Sequence, residues 1–208
     1  MINDKDRRIR NRAITDSSKI EVLRKIKRIY DIIKQGNFSF EDEDFEDIAV
    51  FEKEALSGNV EAETIMGFCY RFGKGVEQDQ NKSVKWFELS AAHGDQCGIH
   101  YLGICYYMGQ GVEQDRVKAF RLQMIAASQG HGGALYDMGS ALYYGEGVER
   151  NVDLAIDCLV RAMLFGDDAA ESFLISILDP EYVDALNEEM ESLMDDCLED
   201  YYDDFEEE

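Results

Sequence analysis

A spacing of 36 residues recurs in this chain without insertion or deletion, from Met66-Gly67 to Leu102-Gly103 to Met138-Gly139. Each pair is followed at a fixed distance by Gly-x-Gly-Val: Gly73-Lys74-Gly75-Val76, Gly109-Gln110-Gly111-Val112 and Gly145-Glu146-Gly147-Val148. A period in this range marks an array in which no unit buries its apolar face alone and each stacks on its neighbours. Such a chain offers an extended interaction surface rather than a closed catalytic cavity.

Within each unit the pattern predicts two helices and two turns. The first helix, helix A, is expected to run to Phe72, Met108 and Tyr144. Gly73, Gly75, Gly109, Gly111, Gly145 and Gly147 are read as turn residues, because a helix end commonly needs a left-handed residue that only glycine supplies without strain. Asp79, Asp115 and Asn151 suit the N-cap of helix B, which Gly94, Gly130 and Gly166 end. Gly67, Gly103 and Gly139 fall inside helix A, where glycine costs about 1 kcal/mol against alanine. Repeating that cost three times implies a close approach by a neighbouring helix.

The array is expected to span residues 49–178. Phe51 and Gly58 stand 36 residues before Phe87 and Gly94, so the array opens on a helix B, and Asp167–Leu178 reads as the helix A of a fourth unit. Its flanks are read as a flexible N-terminus over 1–17, a capping helix and acidic linker over 18–48, a C-terminal capping helix over 179–198 and an acidic tail over 199–208. Ser18 to Glu21 is a capping-box pattern, apolar residues then recur from Ile20 to Ile33 at helical spacing, and Gly36 suits the stop. The run Glu41–Asp44 is expected to begin the next helix. Asp179-Pro180 reads as a helix start, followed by an apolar stripe from Val183 to Tyr201.

Charge narrows the choice of partner. The chain carries a formal net charge of −23, with +6 on residues 1–36 and −29 on residues 37–208. An acidic body repels nucleic acid and anionic membrane and steers basic partners. Met1–Arg12 is polar with no apolar core after it, and no apolar run is long enough to span a bilayer, so the cytoplasm is the expected compartment.

No chemistry-bearing motif emerges. The five cysteines form no evenly spaced framework, and Cys69 and Cys105 share one repeat position, which suits small buried thiols. There is no Cys-x-x-Cys or His-Glu-x-x-His, and His93, His100 and His131 are scattered. Gly73-Lys74-Gly75 lacks the earlier glycine of a phosphate loop, since Phe68 stands there. The sequence calls for no catalytic residue, metal or cofactor.

The three units resemble the Sel-1-like repeat family, relatives of tetratricopeptide repeats. The first matches the family pattern at Ala62, Met66, Gly67, Tyr70, Gly73, Gly75, Val76, Asp79, Lys82, Trp86, Ala91 and Gly94. The second matches from Leu102 and Gly103 through Lys118 and Ala119 to Gly130, and the third departs at Leu142, Asn151 and Leu154. The resemblance implies an all-α, right-handed α/α solenoid of about three full repeats with capping helices at both ends. It also implies a scaffold or adaptor role and no particular partner.

Helix geometry marks the face available to a partner. Spacing of i, i+4, i+7 in helix A groups residues that vary between units while the motif positions stay put. Phe68, Arg71, His100, Ile104, Tyr107, Tyr136 and Tyr143 are the protein-binding candidates on it, with Phe68 and Ile104 equally suited to packing between units. The reading is therefore a non-catalytic scaffold that binds another protein, in its most specific form an inhibitor or immunity protein for a basic partner. Two rivals stand beside it. One is regulatory nucleic-acid binding through the basic helix 18–35. The other is a β-lactamase-like hydrolase, discussed for secreted cysteine-rich members, for which no Ser-x-x-Lys is present.

Overall fold

The computed structural model describes residues 4–36, 40–46 and 48–178. Over these the chain is helical throughout: α1 (Asp4–Lys34), a 3-10 turn (Asp42–Phe45), α2 (Ile48–Leu56), α3 (Val60–Phe72), α4 (Gln80–Ala92), α5 (Gln96–Met108), α6 (Arg116–Ser128), α7 (Gly132–Tyr144), α8 (Val152–Leu164) and α9 (Asp168–Ile177). Each helix from α2 to α9 packs on the next in sequence, and α1 lies against α3. This is an α/α solenoid in which α3–α4, α5–α6 and α7–α8 are the helix A and B pairs of three units.

Helix ends fall where the caps put them. The Asp79, Asp115 and Asn151 side chains accept from the backbone N–H groups of Lys82, Lys118 and Leu154 and start the three B helices. Gly73, Gly109 and Gly145 stop the A helices at φ of +69°, +69° and +75°, their N–H groups donating to the carbonyls of Cys69, Cys105 and Ala141. The second turn glycines serve packing between units. A Cβ on Gly111 or Gly147 would overlap the carbonyl oxygen of Gln80 or Arg116, the first residue of the preceding unit's B helix. At Gly75 the same place is taken by the Phe45 carbonyl, 2.7 Å from a Cβ, so the 3-10 turn stands in for a missing helix start.

The glycines inside the A helices sit at close approaches. A Cβ on Gly67 would lie 2.5 Å from the Phe87 ring, one on Gly103 2.8 Å from Gln123 Nε2, and one on Gly139 2.7 Å from Leu159 Cγ. The cost of helical glycine is offset by the pairing of A and B helices within each unit.

Two expectations for the N-terminal flank change. Helix α1 starts at Asp4 rather than at Ser18, and residues 4–17, expected to be a flexible N-terminus, continue it. No glycine or proline interrupts that stretch, and its arginines are good helix formers. The acidic run does not begin α2. Buried Asp44 pairs with Arg28 of α1 and accepts from the Glu41 N–H at 3.1 Å, folding the run into the 3-10 turn. The C-terminal capping helix and tail, over 179–208, lie outside the described residues.

Ile26, Ile29, Tyr30 and Ile33 of α1 join Phe51, Ile65, Met66 and Phe87 in the first core. The Tyr30 hydroxyl donates to Asp95, the N-cap of α5, which also accepts from Thr64 at 2.6 Å and from the Gly98 N–H at 2.7 Å. The first three A-type positions are thus tied through one carboxylate.

Cys69, Cys97, Cys105 and Cys158 are free and buried, and Cys197 lies outside the described residues. Burial pushes the Cys69 and Cys97 thiols up to about 12. Iodoacetamide at pH 8, read by peptide mass spectrometry, is therefore expected to leave all four unlabelled in the native protein and to label all four in urea. Labelling of Cys69 or Cys97 in the native state would contradict the packing described here.

Candidate functional site

A cleft of about 270 Å³ opens where the second and third units meet. Its walls come from α5 (Ile104, Tyr107, Met108), α6 (Arg116, Phe120, Gln123) and α7 (Tyr136, Asp137, Ser140), with Glu146 at the rim. Tyr107, 37% exposed, donates from its hydroxyl to Glu146 at 2.5 Å, and that bond to a carboxylate pushes its phenol up. Arg116 pairs with Glu146 at 3.1 Å and lies 5.5 Å over the Tyr107 ring. The rim is thus a closed triangle of one acid, one base and one aromatic.

The floor is polar. Gln123 donates to Asp137 at 2.9 Å, and its amide oxygen lies 2.9 Å from His100 Nδ1. His100 stacks on His131, with ring centroids 4.3 Å apart. His131 is 4% exposed; its Nδ1 accepts from the Ala134 N–H at 3.3 Å to cap α7, and its Nε2 has no partner among the described residues. Burial pushes the Asp137 carboxyl above the usual range, with His100 opposing, while burial drives the His131 imidazole down to about 3.

Three of these polar residues break the repeat register: Gln123 and Asp137, which line the cleft, and His131, which stacks behind His100. Gln123 stands where the other units have Phe87 and Leu159, and Asp137 where they have Ile65, Tyr101 and Phe173. His131 replaces the N-caps Asn59, Asp95 and Asp167. A buried polar group costs free energy unless it is satisfied, so substitutions that converge on one spot point to a requirement other than packing.

Of the residues expected on the binding face, Ile104, Tyr107 and Tyr136 line this cleft. Three others do not reach the surface. Phe68 is buried under Phe40, Phe72 and Tyr101; Arg71 is buried with Nη1 3.4 Å from Cys105 Sγ; His100 is enclosed by Gln123 and His131. They share the face by helical spacing, but the next helix, or in one case Phe40, covers them. Tyr143 packs on Phe173 and Arg150 beside the cleft rather than in it. Met108, Arg116, Phe120, Gln123, Asp137 and Glu146 were not marked by face geometry. Aligning the units at 36 residues would have exposed Gln123 and Asp137 as polar intruders.

The basic face of α1 is partly committed inside the molecule. Lys27 bridges Asp31 at 3.0 Å and Glu61 at 3.2 Å, and Arg28 holds Asp44. No helix among the described residues is long and apolar enough to cross a membrane.

Comparison with known proteins bears on the array as a whole. Residues 60–95, 98–131 and 133–162 match the family model described as Sel1 repeat. Among solved structures, a Sel1 repeat protein from Oxalobacter formigenes superposes with a TM-score of 0.60 at 25% identity, covering 67% of this chain and 58% of that one. A protective antigen of uropathogenic Escherichia coli, described as displaying an SLR fold, gives a TM-score of 0.60 at 26% identity over 70% of this chain and 35% of its own. Helicobacter pylori cysteine-rich protein B, at 22% identity and a TM-score of 0.50, covers 59% of this chain and 93% of its own, and is similar in fold. This chain therefore spans less than two thirds of the first two relatives. No curated protein matches by sequence.

Proposed function

Three Sel1 repeats make this chain a member of the Sel1-like repeat family, and from that premise we propose that it is a protein-binding scaffold whose contact site is the cleft between α5, α6 and α7. Members of this family are generally protein-interaction scaffolds and typically non-enzymatic. The observation that carries the assignment is the cleft itself: aromatic and apolar walls around a floor where Gln123 and Asp137 replace the apolar residues of the other units. Aromatic anchors seated in partly desolvated pockets dominate protein interfaces.

The partner is a basic protein, and inhibition of such a protein, as by an immunity protein, is the specific form of the proposal. Two features support it. Residues 37–208 carry −29. The acids there also outnumber the Lys and Arg residues by 39 to ten, so the cations that lie over aromatic rings, Lys82, Lys118, Arg116 and Arg150, offset little of the outward field.

With a partner in hand, surface plasmon resonance at several salt concentrations tests the reading. Tyr107→Ala and Tyr136→Ala are expected to speed dissociation tenfold or more with unchanged helical circular dichroism. Replacing exposed acids such as Glu113 and Glu149 should instead slow association and flatten its salt dependence. Unchanged off-rates in both tyrosine variants, with binding lost on deletion of residues 199–208, would move recognition to the tail.

A further inference from the structure

Within the proposed scaffold function, on which this inference rests, the cleft's chemistry is specific enough to name what enters it. We propose that the cleft between α5, α6 and α7 receives one arginine side chain of the partner, its guanidinium pairing with Asp137 and its methylene stem lying along Ile104, Phe120 and Tyr136.

Size is the first argument. At about 270 Å³ the cleft lies just below the range of roughly 300–1,000 Å³ typical of small-molecule pockets, which suits a single long side chain rather than a helix or a folded ligand. Charge is the second. The Asp137 side chain is one-third exposed at the floor, with Gln123 as its hydrogen-bond donor and His100 Nδ1 at 3.6 Å. That nitrogen already faces the Gln123 oxygen, and Arg116, the cationic side chain in the cleft wall, is taken up by Glu146. Among the described residues a partly desolvated carboxylate is left without a full cationic partner, and supplying one offsets part of its desolvation cost.

Shape and register complete the case. Phe120 and Tyr136 supply aromatic faces on which a planar, weakly hydrated guanidinium stacks better than an ammonium. The register shows why Asp137 is distinctive: the other units place Ile65, Tyr101 and Phe173 there, so only this junction presents an acid. Gln123 in place of an aromatic or aliphatic residue then holds the carboxylate from below. Two substitutions that each weaken an apolar core together make an anionic floor.

Nuclear magnetic resonance titration of the 15N-labelled full chain tests this with two blocked peptides, Ac-Gly-Gly-Arg-Gly-Gly-NH2 and the same peptide with citrulline, the uncharged isostere of arginine. The arginine peptide is expected to shift amides of α5, α6 and α7 around Asp137, and the citrulline peptide to bind at least tenfold more weakly. Asp137→Asn should weaken the arginine peptide at least tenfold, whereas Glu113→Gln, which likewise removes one negative charge but on an exposed turn, should not; that pair separates the site from the general acidic field. Ser140→Leu, which fills the cleft without touching Asp137, should also abolish the shifts and keeps the test valid if Asp137→Asn misfolds. Equal binding of both peptides, equal effects of Asp137→Asn and Glu113→Gln, or shifts confined to other helices would overturn the arginine site while leaving protein binding intact. Failure to select any binder from a random-peptide library on the immobilised chain would count against the scaffold reading itself.

Discussion

Gly147→Ala is expected to lower stability by about 3 kcal/mol or more, and Gly111→Ala by a similar amount, whereas Gly94→Ala should cost only about 1 kcal/mol. All three glycines have positive φ, at +73°, +74° and +83°, so each alanine meets the same backbone strain. The difference lies in what the new Cβ would strike. At Gly94 nothing among the described residues lies within 4 Å. At Gly147 the Arg116 carbonyl is in the way and the Val117 nitrogen is 2.9 Å off; at Gly111 the Gln80 carbonyl blocks the place and Val84 Cγ2 is 3.0 Å off. Main-chain atoms cannot rotate aside as a side chain can, so relief requires the two units to move apart. Because an array's stability is a sum of unit and interface terms, urea denaturation should show a broadened or split transition as well as a lower midpoint. Equal losses at Gly147 and Gly94 would mean that the turn does not rest on the preceding unit.

The second large effect is a dependence on pH. A histidine in an unfolded chain titrates near 6.5, and His131 in the folded protein is driven to about 3 by burial, with His100 and Lys34 adding repulsion. Above pH 6.5 both states hold a neutral imidazole, and the group contributes no slope. As pH falls from about 6.5 towards 3 the unfolded chain takes up a proton that the folded one refuses, so stability is lost at up to about 1.4 kcal/mol per pH unit. Other groups act against this trend: burial raises the Asp137 carboxyl, and protonation relieves the self-repulsion of a chain at −23. His131→Asn isolates the imidazole, because Asn59 already caps α3 at the equivalent position by accepting from the Ala62 N–H. The difference in urea stability between variant and wild type should be flat above pH 7 and move in the variant's favour below pH 6. A difference that stays constant down to pH 4.5 would show that His131 is solvated or protonated in the folded state.

What the sequence disclosed and what it concealed divide along the range of the interactions. Helices α3 to α9 end where their own neighbours end them, Asp79 and Gly73 acting within a few residues, so their boundaries were legible. The role of Asp44 depends on Arg28, and the cover over Phe68 on Phe40; neither follows from local pattern. The same limit applied to the binding face. Helical spacing groups Arg71 and His100 with Tyr107 on one face, but the depth at which the adjoining helix sits decides which of them meets solvent. The polar floor was legible in principle, through comparison of Gln123 and Asp137 with their equivalents one unit away rather than with their neighbours in sequence.

The seat beneath Gly75 has a consequence for assembly. Repeat arrays with open ends can add further copies head to tail, each new turn settling on the exposed helix start of the last. Here that seat is filled from within by the Phe45 carbonyl, held in a turn that Asp44 and Arg28 pin to α1. A second copy settling beneath Gly75 would first have to displace that carbonyl, and with it the contact between Asp44 and Arg28.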